Sequence, residues 1–239
     1  MPQLVCRDIC MNYGHNLALD RVSFSVQSGE YLCIVGENGS GKSTLLKGIL
    51  GLLPLRSGSV EFAEGLGARD IGYLPQQTEV QRDFPASVYE VVLSGCAHVR
   101  GARPFYGKDA HSCARENIGL LGLSGLEKKS YRSLSGGQQQ RALLARAICA
   151  TGGLLFLDEP VTSLDPAVTV DFYSIVKRLN REEGLTVVMA SHDIHAAVHQ
   201  ADRILHLNTG VLFYGSARDY VASEVSRRFL GGEHDGCVS

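Results

Sequence analysis

An α/β fold with a mainly parallel sheet covered on both faces is predicted by three observations. Short apolar runs of strand length alternate with helix-period segments through most of the chain. One such run leads through a glycine-rich loop into a helix, and another ends in two adjacent carboxylates.

The elements follow in order. Residues 3–10 and 21–27 alternate, with Val22, Phe24 and Val26 on one face, and predict two antiparallel strands flanking a turn at 12–16. Residues 31–35 form a short apolar strand that runs into the loop. Residues 42–53 are helical in pattern, with Pro54 as the stop. Residues 60–62 and 71–74 are short strands. Ser87 then caps a helix with Val88, Val91 and Val92 on one face, a break follows at 101–107 around Pro104, and a second helix covers 109–121. This is a helix-rich insert. Strand 154–157, helix 168–183, strand 186–190, helix 194–200 and strand 203–207 resume the alternation, and residues 231–239 read as a loose polar tail. The organisation predicted is one domain over 1–239. Its catalytic core is 1–85 and 132–215, its helical subdomain 86–131, and its C-terminal helix and tail 216–239.

Bulk properties narrow the classes. The 239 residues suffice for one large domain, and 44% hydrophobic with 20% charged residues is an ordinary globular balance. A formal net charge of −2 and the lack of a basic patch argue against a nucleic-acid partner. No stretch approaches the length of an apolar membrane span, and the first residues lack the basic and apolar regions of a secretion signal. Seven cysteines, an odd number, with no Cys-x-x-Cys pair, predict reduced thiols rather than a disulfide framework or zinc ribbon.

Gly36-Glu37-Asn38-Gly39-Ser40-Gly41-Lys42-Ser43-Thr44 fits the phosphate-binding pattern G-x-x-x-x-G-K-[ST], with a strand before it and a helix after it. The glycines let the backbone turn its N–H groups inward, and the helix N-terminus adds a positive dipole end. Lys42 suits the β- and γ-phosphates of a nucleotide, and the Ser43 hydroxyl suits Mg²⁺. A glycine-rich turn with an exposed lysine is the plainer alternative, and the flanking elements disfavour it. Leu154-Leu155-Phe156-Leu157-Asp158-Glu159-Pro160 supplies the second half: a buried strand delivering two carboxylates at its C-terminal end. Asp158 is placed to hold Mg²⁺, and Glu159 to orient or deprotonate the attacking water. Alone, such a pair is more often a solvated strand end; beside a phosphate loop that explanation weakens.

Leu134-Ser135-Gly136-Gly137-Gln138, continued by Gln139-Gln140-Arg141, resembles the signature loop of ATP-binding-cassette (ABC) transporter ATPases, and the resemblance covers residues 3 to about 215. It implies a P-loop NTPase with a RecA-like parallel core, an N-terminal antiparallel β subdomain and an inserted helical subdomain. It implies ATP and Mg²⁺ as cofactors. Tyr13 would stack on adenine, although an aromatic ring there is by itself more often core packing. Residues 36–44 would hold the phosphates, and Ser43, Gln76 and Asp158 the metal. Lys42, Glu159 and His192 would act in hydrolysis. Ser135, Gly136, Gly137, Gln138 and, from Ser163-Leu164-Asp165, Asp165 would close over ATP bound to a partner copy. The partners implied are a second copy of the chain, two membrane permease subunits contacted near Gln76–Val92 and, indirectly, a solute-binding protein. The place implied is peripheral, on the cytoplasmic side of the cell membrane.

The stretch from Ile71 through Gln76 and Arg82-Asp83-Phe84-Pro85 to Gly95 resembles the branch that imports zinc, manganese or iron(II), as does 203–208. Phe84–Pro85 packing the start of the insert is the plainer account of the same residues. Siderophore, haem and cobalamin importers are the alternative cargo class. Other transporter branches, a non-transport ABC ATPase and a module with a dead ATP site are further rivals. The last conflicts with an intact Lys42, Glu159 and His192, and a single cassette without heptads disfavours the ribosomal and DNA-repair types. His195 and His199, four apart, have zinc-like spacing, but no ligand of matching spacing completes the set. His234, Asp235 and Cys237 look ligand-like in a short tail. The few residues after 215 predict no attached regulatory domain.

Overall fold

The computed structural model describes residues 2–14, 16–76, 85–97, 105–162 and 164–230. Two compact units result: one from the chain up to Ala68 together with the chain from Thr186, the other from Arg69–Leu185.

In the first unit, β1 (Pro2–Tyr13) pairs antiparallel with β2 (Asn16–Gln27) and with β4 (Ser57–Phe62). Both early strands are longer than the sequence pattern marks. β-bulges along β1 interrupt the strict alternation by which strands are read. β3 (Tyr31–Val35) lies between β7 (Thr186–Ser191) and β8 (Arg203–Asn208), parallel to both. Every residue of β3 and β7 is buried, which is why both read as continuous apolar runs. β9 (Gly210–Ser216) adds an antiparallel edge to β8. Sequence patterning missed it, because its residues are mostly half-exposed and show no clean alternation. Tyr214 of β9 ties the antiparallel sheet in: it accepts from Ser25 N–H at 3.0 Å, donates to the Ser25 carbonyl, and its ring meets Phe24 edge-on.

The helix α1 (Lys42–Ile49) stops before Pro54, the stop that the sequence predicts. Gly51 takes φ 69°, and Leu52 N–H bonds Lys47 O at 2.8 Å while Gly51 N–H bonds Gly48 O at 3.0 Å. That left-handed glycine cap ends the helix a turn earlier than proline would. After β7 come α6 (Ile194–Gln200), capped by Asp193 through Ala196 N–H, and, after β9, α7 (Ala217–Ala222) and α8 (Glu224–Leu230). The tail 231–239 lies outside the described residues.

In the second unit, β5 (Ile71–Leu74) and β6 (Leu154–Asp158) are parallel and in register. Between them in sequence come α2 (Val88–Leu93), α3 (Lys108–Leu120) and α4 (Gly136–Ala150), with α5 (Pro166–Glu182) after β6. Ser87 caps α2 as expected and completes a capping box with Glu90. The break at 101–107 falls mostly outside the described residues. α4 passes so close to β5 that a Cβ on Gly72 would stand 2.3 Å from Ala147 O. α4 starts at Gly136, and α5 two residues before the expected Val168. Ser135 caps the first, and Pro166 opens the second at a position where its missing N–H costs nothing. No helix among the described residues is long and apolar enough to cross a membrane.

His206 on β8 is 1% exposed, and its Nδ1 lies 2.8 Å from the Tyr220 hydroxyl on α7, with the Phe229 ring of α8 at 4.5 Å. Burial, and then the Lys42 charge, pull its pKa down to about 4 from 6.5. The folded state therefore prefers the neutral ring. This contribution to stability is complete above pH 6.5 and is lost as pH falls from there through about 4. Acid should cost roughly 2–3 kcal/mol at this one site. Urea midpoints across that window should fall for the native chain and fall less for His206→Gln.

Candidate nucleotide-binding site

The phosphate loop leaves β3 at Val35, which is in register with Ser191 of β7 and His206 of β8. Gly36 and His192 therefore emerge side by side from neighbouring parallel strands, at the carboxyl ends where such sheets bind ligands. Within the loop, Ser40 N–H bonds Glu37 O at 3.2 Å, and Thr209 N–H bonds Ser40 O at 3.2 Å from the β8–β9 turn. Gly41 sits at the start of α1 with φ 100°, and a Cβ there would stand 2.8 Å from Ala18 O of β2. A side chain at 41 would thus need both a left-handed backbone and a displaced strand.

α1 begins with no side-chain cap and no acidic residue in its first turn. Its first N–H groups and its dipole thus favour an anion. Lys42 is 4% exposed, and its Nζ donates to Gly36 O at 2.8 Å and Glu37 O at 2.9 Å. The ammonium is curled over the loop, where phosphate oxygens are stronger partners than carbonyls. The Ser40 hydroxyl is buried and has no hydrogen-bond partner among the described residues. Together these features make a cradle for a polyphosphate.

The second unit presents the acidic pair. Leu74 and Leu157 are paired, so Gln76 and Asp158–Glu159 also leave adjacent parallel strands. Asp158 is 2% exposed and accepts from the Tyr73 hydroxyl at 3.3 Å. Burial, together with that carboxylate, pushes the Tyr73 phenol well up, so it remains a donor. Glu159 turns the chain with φ 46°, a left-handed conformation rare for a glutamate. Its carboxylate accepts from Gln76 Nε2 at 3.4 Å and from Thr162 Oγ1 at 3.3 Å. Gln140 of α4, 2% exposed, donates to the Pro160 carbonyl at 2.5 Å and holds the turn from behind. Sequence reasoning gave Gln140, Tyr73 and Thr162 no role. A glutamine on the inner face of an amphipathic helix was the one available signal.

Ser135 is exposed at the start of α4. Its Oγ accepts from Gln138 N–H at 3.3 Å, and Gln138 Oε1 accepts from Ser135 N–H at 3.1 Å. The capping box occupies one lone pair of the serine and leaves its O–H proton for an anion. Asp165 is exposed at the head of α5, with no side-chain capping bond of its own. Tyr13 ends β1 opposite Asn16. His192, His195 and His199 are exposed, the first at the end of β7 and the other two on α6. Ser163, Arg82, Asp83 and Phe84 lie outside the described residues, as do His234, Asp235 and Cys237.

Pro75 and Gln76 lead to an apolar groove of about 430 Å³ in the second unit, lined by Tyr73, Leu74, Pro75, Val91, Tyr131 and Leu143 among others. Its rim carries Glu90 and Arg146.

Comparison with known proteins agrees with this geometry. Residues 19–162 match the family model described as ABC transporter. The chain is 36% identical to the zinc import ATP-binding protein ZnuC 2 of Aliivibrio fischeri, over 98% of this chain and 90% of that protein. It is 34% identical to the manganese transport system ATP-binding protein MntB of Listeria monocytogenes, over 89% of each. Among solved structures, an inward-facing metal-chelate type ABC transporter superposes with a TM-score of 0.86 at 29% identity, covering 97% of this chain and 90% of that one. A phosphate loop at the end of a buried parallel strand, an acidic strand end and a serine-capped signature helix thus occur in a chain similar to these proteins over nearly its whole length, and the chain belongs to the ABC transporter family.

Proposed function

We propose that this protein is the ATPase subunit that powers import of a divalent transition-metal ion, zinc or manganese before iron, through a separate membrane permease. The observation that carries the cargo is the near-full-length likeness to zinc and manganese import subunits, in a chain that keeps Lys42, Glu159 and His192. Residues 36–44 bind the ATP phosphates, with Lys42 exchanging its loop carbonyls for phosphate oxygens, and Tyr13 stacks on adenine. Glu159, held at its turn by Gln140, orients the attacking water and takes its proton. His192 contacts the γ-phosphate. The bond to the γ-phosphorus breaks on the ADP side, giving ADP and phosphate.

The donor set fits Mg²⁺. The Ser43 hydroxyl and the Asp158 carboxylate are hard oxygen donors, and Gln76 turns its amide nitrogen to Glu159, which leaves its carbonyl oxygen for a cation. Bound with ATP, Mg²⁺ would supply charge neutralisation on the phosphates.

Ser135, Gly136, Gly137, Gln138 and Asp165 act on ATP held by a second copy of the chain. The exposed serine cap supports this role, since Ser135 and Gly136 at the start of α4 are open to solvent. Two copies closing over two nucleotides would drive two permease subunits, which dock on the groove beside Gln76 and α2. A solute-binding protein delivers the cargo outside, and the chain works at the cytoplasmic face of the membrane. The metal-chelate transporter structure at 29% identity favours a second reading, import of a siderophore, haem or cobalamin.

Glu159→Gln keeps the shape and the hydrogen-bonding reach of the side chain but cannot take a proton. Steady-state ATP hydrolysis should fall by about 10²–10⁴-fold while nucleotide binding persists. Wild-type turnover would remove Glu159 from the role. In a second experiment, Ser135→Arg should abolish hydrolysis yet leave the affinity of the isolated chain for ATP nearly unchanged, read by fluorescent nucleotide titration. Weakened binding in the isolated chain would mean that Ser135 serves its own nucleotide. For cargo, cells deleted for the gene should lose zinc, manganese or iron by elemental analysis. Normal metal content with failed siderophore or cobalamin uptake would establish the second reading.

A further inference from the structure

Three of the seven cysteines, far apart in sequence, meet inside the second unit. Cys96 closes the short turn after α2, Cys113 lies in the middle of α3, and Cys149 is in the last turn of α4. Their Sγ atoms all lie within 4.8 Å of one another. Cys96 and Cys149 are buried and Cys113 is half-buried, and all three are free thiols. Among the described residues this is the one grouping of three His, Cys, Asp or Glu ligand atoms at metal-binding separation.

The surroundings favour sulfur anions. Asn117, one turn beyond Cys113, donates its amide nitrogen to Cys113 Sγ and to Cys149 Sγ, each at 3.5 Å, and is anchored on Cys113 O at 2.9 Å. Hydrogen bonds donated to metal-bound thiolates are the outer-shell support such sites need. The Cys96 thiol donates to Ala110 O at 3.6 Å, a bond that cation binding would exchange. Size also discriminates. Sulfurs about 2.3 Å from a zinc-sized ion stand roughly 3.7–4.0 Å apart, which falls inside the 4.8 Å that bounds the three sulfurs. A disulfide needs about 2.05 Å, joins only two of the three and strands the third.

We propose that Cys96, Cys113 and Cys149 form a binding site for a thiophilic d¹⁰ cation, Zn²⁺ or Cu⁺, within the helical part of the chain. Binding is a ligand exchange without redox change: up to three S–H protons leave to solvent as three metal–sulfur bonds form. Zn²⁺ leaves one net negative charge in the site and Cu⁺ two, and the Asn117 amide offsets part of it. Because the thiolate is the ligand, binding competes with protons and affinity rises with pH. The ion would pin the end of α2, the middle of α3 and the end of α4. α4 is the same helix whose other end carries Ser135, so occupancy would stiffen the element that presents the signature loop. The site stands on sulfur geometry and is independent of the transport reading.

The test uses the full chain, reduced and treated with a chelator. Zn²⁺ is titrated in competition with a chromophoric chelator, and Co²⁺ serves as a spectroscopic stand-in. The expected result is a stoichiometric site with a sulfur-to-cobalt charge-transfer band that Cys113→Ser/Cys149→Ser abolishes. In the unsubstituted protein, Zn²⁺ at ten times its dissociation constant should slow alkylation of Cys113 about tenfold and spare half-buried Cys10 as the internal control. An anaerobic competition with a Cu⁺ chelator identifies which cation is preferred, and tight binding of either supports the site. Unchanged Cys113 labelling, absence of the thiolate band, binding retained in the double variant, or a disulfide forming in place of metal uptake would each overturn it.

Discussion

A lysine ammonium buried at the mouth of the phosphate loop constrains the whole of the first unit. With 4% of its surface exposed, Lys42 has lost most of its water and must be met by acceptors, here the Gly36 and Glu37 carbonyls. Those carbonyls point inward only because the loop turns through left-handed glycines against β2 and is held by Thr209 from the β8–β9 turn. Burial, and then this charge, keep His206 of the next strand neutral, and it shares its Nδ1 with Tyr220 while its ring packs on Phe229, so α7 and α8 meet it at that edge. The cation thus fixes the conformation of the loop and adds to the burial that holds a core histidine neutral.

The second unit solves a different problem, the placement of two carboxylates at the end of an apolar strand. Four buried apolar residues hold β6 in place at roughly 1.5–3 kcal/mol each. That burial can sustain the strained Glu159 turn, at a cost of about 1–3 kcal/mol. Gln140 reaches across from α4 to the Pro160 carbonyl, so the helix that begins at the Ser135 cap also braces the acidic turn. The Glu159 turn and the exposed Ser135 end thereby share one helix of fifteen residues.

How far the sequence could be read depended on how local each feature is. The phosphate loop, the Asp158–Glu159 strand end and the Ser87 cap were legible because each is contiguous and its neighbours along the chain supply most of its environment. The strands β3, β6 and β7 were legible because burial on both faces leaves an uninterrupted apolar run. The end of α1 was misplaced at Pro54 because a glycine able to take the left-handed cap came first. β9 escaped because its half-exposed residues carry no period. Gln140, Tyr73 and His206 looked like ordinary residues, since their roles arise from partners 20, 85 and 14 positions away.

The cysteines show the same division most sharply. The cysteine count and the lack of a Cys-x-x-Cys pair argued against a disulfide framework or zinc ribbon, and that inference is sound where ligands must come from one short loop. Packing α3 and α4 against the turn after α2 brought Cys96, Cys113 and Cys149 within 4.8 Å, which no linear pattern could register. The sequence alone determined the glycine-rich loop after β3, the acidic pair at the end of β6 and the serine-capped start of α4, because covalent neighbours and short-range turns dictate them. Only the tertiary structure decided which distant side chains brace that machinery and which sulfurs share a pocket, because those contacts depend on helices and strands finding one another across long stretches of chain.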